Sequence, residues 1–448
     1  MGLDARVGRV AVVAAWLAMS MACATSSPLS RLTRESSPYE QYVDGLRDAG
    51  LDGTALGRDW LQAGEQALTR PAPVTLPLAE SGYFEAATPS AAAWRFDLPR
   101  GRRLVVDVQL DAAAPARLFV DLFTIADDGT ASRVRSLPAG STTLTYDAER
   151  DGVIVVRVQP ELLRRGRYTL TQRTLASLAF PVQGLTARAV QSAFGAERDA
   201  GRRTHEGLDI FAARGTPVLA VGSGIARPDT NALGGTVVWL HQPDADRTFY
   251  YAHLERWAFE SAQMVTAGDV LGYVGNTGNA RTTSPHLHFG IYSRGAVDPA
   301  PYLREDDPVP VVPPAPLLGT PVRVTTTRAT LREGPAPSAA SVRAVPRDTL
   351  TRVVGASARS YRVHLPDGQI GYLDRTAVGA VTTPLRRRRL DAGAELRESP
   401  TATAPVVKTA DAATEWQVFG RFDDFDWVRG DDGIAGWVAV RTTAPASR

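Results

Sequence analysis

The sequence predicts a mainly β, multidomain fold, and three observations support this prediction. The chain has 448 residues, which is too many for a single hydrophobic core, so several domains are expected. From about residue 72 onward, short runs alternate apolar with polar residues at a period of two, as β-strands do. The stretch that starts at Ala329 recurs at Ala394, 65 positions later, which indicates two copies of one small β unit.

Composition excludes some classes of protein and bounds the others. The chain is 44% hydrophobic and 22% charged, with a formal net charge of +2, as in a soluble globular protein. This balance gives no electrostatic reason to expect nucleic acid as a partner. Cys23 is the single cysteine, so an intramolecular disulfide is excluded.

The first residues have the anatomy of an export signal. Arg6 and Arg9 precede an apolar run that is too short for a confident membrane span, so 1–22 is predicted to be a signal peptide. Ala22 before Cys23 resembles a bacterial lipobox, in which Cys23 is lipidated, although Ser20 departs from that pattern. The alternative is an ordinary signal peptide that is cleaved nearby. Residues 23–37 are predicted to be a flexible tether.

Two short helices are predicted at 38–71, because apolar residues recur there at roughly helical spacing and Gly50 and Gly53 interrupt them. The predicted buried stripe consists of Tyr42, Leu46, Leu56, Trp60, Leu61 and Leu68.

Residues 72–178 are predicted to form a β-sandwich from short strands separated by Gly, Pro and Asp turns. This part has no histidine and no evident cluster of polar groups, so we expect a spacer or a binding module. The proline-rich stretch 304–320 is predicted to be a stiff extended linker.

The two repeats cover 321–380 and 381–442, and their motifs "YRVHLPDGQIGYL" and "DWVRGDDGIAGWV" resemble bacterial SH3-like domains, which are small β-barrels. The resemblance implies binding of cell-wall peptides or other ligands near a catalytic domain. The run of four arginines at 386–389 is interpreted as a solvated linker. The aromatic residues are expected to lie in the core; they are Tyr361, Tyr372, Trp427 and Trp437.

Residues 179–303 contain five of the six histidines. In "SPHLHFG", His286 and His288 are two positions apart, so in a strand both rings point to the same face. Such a pair suits a metal site, or a metal ligand beside a proton-handling group. His205 and Asp209 are four apart, but Gly207 and the strand-like "LDIF" favour a loop that leads into a strand. His241 is interpreted as structural and His364 as a surface residue.

The order of these motifs, together with the glycine-rich "GTPVLAVGSG" and "VLGYVGNTG", resembles the M23 (LytM/lysostaphin-type) zinc metallopeptidases over about 120 residues. The resemblance implies a small antiparallel β-sheet domain around a groove. It also implies that Zn²⁺ is held by His205, Asp209 and His288, with His253 and His286 as non-ligating catalytic residues. Two departures concern the substrate: "NARTTSPHLHFG" is a longer approach to the histidine pair, and Gly290 stands where many members carry an acid.

Three protein ligands leave a fourth zinc position for water, as catalytic zinc sites require. From the family resemblance and the SH3-like pair we expect an exported zinc endopeptidase that hydrolyses peptide cross-links of bacterial peptidoglycan. A lipoprotein of this kind suggests a Gram-negative envelope without glycine bridges, so we expect the cleaved cross-link to end in D-alanine. We expect it in the cell envelope as a periplasmic lipoprotein, tethered to the outer membrane through Cys23. Two alternatives stay open. One is a non-catalytic wall-binding adaptor that activates another hydrolase and whose groove is plugged by the N-terminal half; the other is a metallopeptidase for secreted proteins.

Overall fold

The structure is a computed structural model, which describes residues 36–112, 115–198 and 201–440. The predicted signal peptide, Cys23 and most of the tether lie outside these residues. The described ranges contain 34 β-strands and three α-helices, so the mainly β prediction is confirmed. None of the helices in these ranges is long and apolar enough to cross a membrane.

The N-terminal helices are α1 (Pro38–Asp48) and α2 (Ala55–Thr69). Ser37 begins α1 with a capping box: its hydroxyl accepts from the Glu40 amide at 3.1 Å, and the Glu40 carboxylate accepts from the Ser37 amide at 2.8 Å. Trp60 of α2 is buried against Phe119, and its indole donates to the Pro160 carbonyl at 2.8 Å. The helices therefore pack on the adjacent β domain.

The sandwich consists of two packed sheets with the strand orders β1-β3-β8-β5-β6 and β2-β9-β4-β7. Alternate residues of both sheets, such as Trp94 and Leu170, are fully buried between them. The strands are β1 (Ala72–Pro73), β2 (Leu78–Phe84), β3 (Ala92–Leu98), β4 (Arg102–Asp111), β5 (Leu118–Ile125), β6 (Ala131–Ser136), β7 (Thr143–Asp147), β8 (Gly152–Pro160) and β9 (Gly166–Ala176).

The histidine-rich domain is built on an antiparallel sheet with the order β10-β13-β20-β17-β16-β15-β18, onto which β14, β19 and β21 also pair; β11 and β12 form a separate hairpin. Its strands are β10 (Val190–Ser192), β11 (Glu197–Arg198), β12 (Arg203–Thr204), β13 (Leu208–Phe211), β14 (Pro217–Leu219), β15 (Gly224–Asn231), β16 (Gly235–Gln242), β17 (Arg247–Trp257), β18 (Gln263–Val265), β19 (Val270–Val274), β20 (His286–Tyr292) and β21 (Ala296–Val297). The short helix α3 (Ala300–Leu303) follows and packs on the sandwich through Tyr302 and Gly101.

The two repeats have matching strand pairings. In each repeat the antiparallel pairs occur at positions related by the offset of 65, for example β26–β27 in the first and β33–β34 in the second. The strands are β22 (Pro321–Val324), β23 (Arg328–Arg332), β24 (Ser341–Pro346), β25 (Leu350–Ala356), β26 (Ser360–His364), β27 (Ile370–Asp374), β28 (Val378–Ala380), β29 (Arg386–Leu390), β30 (Glu395–Arg397), β31 (Val406–Thr409), β32 (Thr414–Phe422), β33 (Phe425–Arg429) and β34 (Ala435–Ala439).

The arginine run forms a strand, so its interpretation as a solvated linker is wrong. Arg386 to Arg389 belong to β29, which pairs with β32 just as β22 pairs with β25 in the first repeat. Arg386 and Arg388 hold the carboxylate of Asp426, which is 0% exposed, at 2.6 and 3.0 Å. Two of the four charges are thus part of the packing of the second repeat, whereas Arg387 and Arg389 are exposed.

Residues 304–320 do not form a free spacer. The buried Arg102 of the sandwich donates to the carbonyls of Arg304 and Glu305, at 2.7 and 3.1 Å. Asp307 accepts from the Thr174 amide at 2.8 Å, and Leu318 is buried in the core of the first repeat. The segment is therefore fastened to the domains on both sides of it.

The expectation that the sandwich lacks clustered polar groups is also wrong, because β2 pairs with β25 and buries a charged cluster between the sandwich and the first repeat. Arg362 Nε lies 3.0 Å from Oε1 of Glu80, which is fully buried. Glu80 Oε2 accepts from Trp94 and Tyr372 at 3.2 and 3.0 Å, and Arg362 donates to the Tyr168 hydroxyl at 2.6 Å. One partner of the ion pair comes from each domain, so sequence periodicity alone does not reveal it.

We expect Glu80→Gln to lower the free energy of unfolding by about 3–5 kcal/mol, because it leaves the Arg362 charge buried without a counter-ion. Chemical denaturation followed by tryptophan fluorescence measures this change. The matched control is Asp147→Asn in the Arg103–Asp147 pair, whose side chains are 42% and 51% exposed. In Asp147→Asn the free energy of unfolding should fall by less than about 1 kcal/mol. Equal losses in the two variants would contradict the role of the buried pair.

Candidate metal centre

His205, Asp209 and His288 lie together in the structure. Asp209 of β13 lies directly opposite His288 of β20, and His205 precedes β13 on the loop after β12. His205 Nε2 is 3.0 Å from Asp209 Oδ1 and 3.0 Å from His288 Nδ1, and His288 Nδ1 is 3.1 Å from Asp209 Oδ1. Three potential ligand atoms thus form a nearly equilateral triangle.

The triangle fits a small divalent cation. With metal–ligand distances of ~2.0–2.2 Å, a tetrahedral zinc site has edges of about 3.3 Å between its ligand atoms. The donors are two imidazole nitrogens and one carboxylate oxygen, which suit zinc. Without a cation, the lone pair of His205 Nε2 would face a carboxylate oxygen. The residues present therefore fit the group that the sequence predicts, with a fourth position left for water.

Neighbouring groups fix the orientation of these ligands. The Ala193 carbonyl lies 2.9 Å from His205 Nδ1 and can only accept, so Nδ1 carries the proton and Nε2 is free to bind metal. Burial disfavours the charged form of Asp209, but interactions with His205 and His288 outweigh this effect and hold its pKa well below the usual range. The carboxylate is therefore ionised.

Gly207 allows the ligands to approach each other. A Cβ atom at this position would lie 2.5 Å from the Phe289 carbonyl oxygen and 2.8 Å from Cε1 of His288. No larger residue fits at position 207 unless both the backbone of β20 at Phe289 and the His288 ring move.

A β-bulge places His253 beside the ligands. The register between β16 and β17 shifts so that Ala252 and His253 lie opposite Val237, and His253 has a φ of 64°. Bulges next to active sites redirect side chains, and a non-glycine residue at positive φ is held there by its surroundings. Here the His253 amide donates to the Gly234 carbonyl at 2.8 Å.

His253 and His286 both present a free Nε2 atom. Their Nδ1 atoms lie 2.9 Å from the carbonyl oxygens of Thr277 and Ser284, respectively, so each Nδ1 carries the proton of the neutral ring. The two ring centroids are 5.0 Å apart, and His253 is 6.0 Å from His288. Burial, followed by the proximity of His286, lowers the pKa of His253 to about 4. Near neutral pH this ring is a base without a proton on Nε2.

Gly290 leaves space for the Tyr292 ring. It is the position at which the sequence departs from the acidic residue expected from the M23 resemblance. A Cβ at 290 would lie 3.1 Å from the Tyr292 ring and 3.2 Å from the Glu206 carbonyl oxygen. Tyr292, Tyr250 and Trp239 form an aromatic cluster on this face of the sheet, and Tyr250 also contacts His288. Sequence analysis overlooked this cluster, although Tyr292 has the same period-two phase as His286 and His288.

The other two histidines lie outside the group of five. His241 is exposed on β16, with Nδ1 3.2 Å from the Thr248 hydroxyl. His364 is half-buried in β26, so its interpretation as a surface residue is only partly correct. Four further residues of the site were not predicted from the sequence, because their roles depend on contacts that no spacing indicates. They are Ser192, Ala193, Arg198 and Thr277.

The family comparison agrees with this geometry. Residues 203–299 match the model of Peptidase family M23. The chain contains a peptidase family M23 domain. The matched segment includes all five residues of the site, whereas the sandwich and the repeats lie outside it.

Three relatives are similar to part of this chain. The L-Ala--D-Glu endopeptidase of Bacillus subtilis (strain 168) is 36% identical over 145 residues, which are 29% of this chain and 44% of that protein. The glycyl-glycine endopeptidase ALE-1 of Staphylococcus capitis is 35% identical over 107 residues, 22% of this chain and 29% of that protein. The peptidoglycan DD-endopeptidase ShyC of Vibrio cholerae serotype O1 is 33% identical over 94 residues, 21% of each chain. The chain thus spans less than half the length of these relatives.

We expect His288→Ala to weaken zinc binding by more than about 100-fold, because it removes one of three protein ligands. Loss of a residue that only hydrogen-bonds to a ligand typically weakens metal binding by less than this. His253→Ala should bind zinc within a few-fold of the unaltered protein. Competition with a chromophoric chelator measures both affinities, and circular dichroism checks that both variants fold. The assignment is wrong if the two variants lose metal equally.

Proposed function

We propose that this protein is a zinc-dependent endopeptidase that hydrolyses peptide cross-links of bacterial peptidoglycan. One observation carries the proposal: three metal-binding atoms lie 3.0–3.1 Å apart, beside two imidazoles whose Nε2 atoms are free. The substrate class is supported by the M23 match and by relatives that are themselves named endopeptidases.

A bound zinc ion supplies Lewis acidity toward the scissile carbonyl and a nucleophilic water near neutral pH. The protein's own residues handle protons around it. His253, which is neutral at pH 7, accepts a proton at Nε2, and the Thr277 carbonyl keeps the ring in this orientation through Nδ1. His286, fixed in the same way by Ser284, also accepts a proton at Nε2; once it carries a proton there, it can donate to the developing oxyanion or to the leaving amine.

The candidate metal centre is assembled within the M23 domain. The hydrogen-bond and ring partners described above for the five site residues come from positions 192–292, while the sandwich meets this domain at α3 through Tyr302 and Gly101. This arrangement supports an active peptidase over an adaptor whose groove is plugged by the sandwich.

The proposal places the protein in the cell envelope. Residues 1–22 would direct export, and lipid on Cys23 would tether the domains to the outer membrane through residues 23–37. Peptidoglycan would be the partner, and the two SH3-like repeats would bind it beside the groove.

The soluble chain that begins at Ser37 tests the proposal. It should release muropeptides from isolated sacculi, and a chelator should abolish the release. His253→Ala should slow turnover by about 10²- to 10⁴-fold because it removes a proton-transfer group. Mass spectrometry of the products identifies the cleaved bond.

Two other outcomes would decide against this function. Sacculus binding without products from the unaltered protein, unchanged in His253→Ala, would identify an adaptor. Cleavage of a denatured protein with intact sacculi left untouched would identify a peptidase of secreted proteins.

A further inference from the structure

The carboxylate of Asp209 has two oxygens with different neighbours. Oδ1 points to the two histidine ligands, at 3.0 and 3.1 Å. Oδ2 lies 2.6 Å from Nη2 of Arg198. Arg198 precedes residues 203–299, the segment that matches the family model, so the match assigns it no role.

We propose that Arg198 is a positioning residue of the metal centre, which holds Asp209 so that only Oδ1 is available to the metal. This inference rests on the proposed function only in that the site binds a divalent cation. A carboxylate can bind a metal through one oxygen or two, and a bound partner on the second oxygen favours the first arrangement. A guanidinium is a planar cation with several N–H donors, which suits it to hold a carboxylate oxygen in a fixed position.

Arg198 also connects the carboxylate to the second ligand. The same Nη2 atom donates to the hydroxyl of Ser192 at 2.7 Å, and this hydroxyl lies 3.3 Å from His205 Nδ1. Contacts therefore run from Asp209 through Arg198 and Ser192 to His205. They join β13, β11 and β10, none of which is longer than four residues.

Two effects of Arg198 on metal binding oppose each other. Its positive charge repels a nearby cation, whereas its hydrogen bond fixes the orientation of the Asp209 ligand. The side chain is 38% exposed, so solvent screens the repulsion. The hydrogen bond is short and shields a carboxylate that is only 10% exposed. We therefore expect the positioning effect to dominate, so that loss of Arg198 weakens metal binding.

The test measures zinc affinity on metal-free protein that begins at Ser37, by competition with a chromophoric chelator. Arg198→Gln should bind zinc about 10- to 100-fold more weakly, the range typical for a lost outer partner. With Co²⁺ as a probe, its visible absorption should weaken as the freed carboxylate binds through both oxygens and the coordination number rises. A purely structural role would leave the spectrum of the loaded protein unchanged.

Two further variants separate charge from geometry. Arg198→Lys keeps the charge, and its one ammonium nitrogen has enough donors for both contacts that Nη2 makes. The lysine side chain is shorter and differently shaped, so the zinc affinity of this variant should lie between those of Arg198→Gln and the unaltered protein. Ser192→Ala should reduce affinity only a few-fold, because the Ala193 carbonyl still holds His205 at 2.9 Å. The matched control is Arg103→Gln, which removes an arginine of similar exposure from an ion pair in the sandwich, 42% against 38%, and should leave zinc affinity unchanged.

Each result decides the inference. Zinc affinity in Arg198→Gln that equals or exceeds that of the unaltered protein would overturn it, and so would an unaltered protein that binds no metal. An Arg198→Lys variant equal to the unaltered protein would support positioning, because the repulsion of the metal is unchanged in that variant and the ammonium group can keep the hydrogen bond to Asp209. The proposed function is tested separately. If the protein binds zinc but releases no muropeptides from sacculi, the endopeptidase function is rejected, whereas the positioning role of Arg198 is not.

Discussion

The metal centre depends on one register, the antiparallel pairing of β13 with β20 that sets Asp209 opposite His288. A slip of one residue would turn every side chain of β20 to the other face of the sheet. The register is held because Leu287, Phe289 and Ile291 alternate with the histidines and are all 0% exposed. Burial of each such side chain stabilises the fold by about 1.5–3 kcal/mol. The hydrophobic face of β20 therefore stabilises the register that positions the histidines on its other face.

Much of this site could be predicted from the sequence because its strongest signals are local. Two histidines at i and i+2 share a face in any strand, and Gly207 together with the strand-like "LDIF" disfavours a helix at His205 and Asp209. The offset of 65 likewise predicts two related units, and the structure contains matching strand pairs in both. That the three ligands bind zinc remains a prediction, as do lipidation and the wall as partner.

The features that were missed depend on contacts between distant parts of the chain. The bulge at His253 follows from the pairing of β16 with β17, and Arg198 of β11 meets Asp209 of β13 through a contact between two separate short strands. The arginine run was interpreted as a linker because of its charges, although its position in the repeat indicates a strand. At the offset of 65 it aligns with β22, and a buried aspartate supplies the counter-charge.

The shared sheet between the sandwich and the first repeat bears on how this protein can be dissected. By composition, 304–320 is the obvious place to divide the chain. A cut there would separate β2 from its partner strand β25 and expose that edge of β2. It would also leave the Glu80 carboxylate without the Arg362 guanidinium that contacts it. Isolated fragments would tend to aggregate through that open edge. Boundaries chosen from this architecture should therefore keep residues 72–380 in one piece.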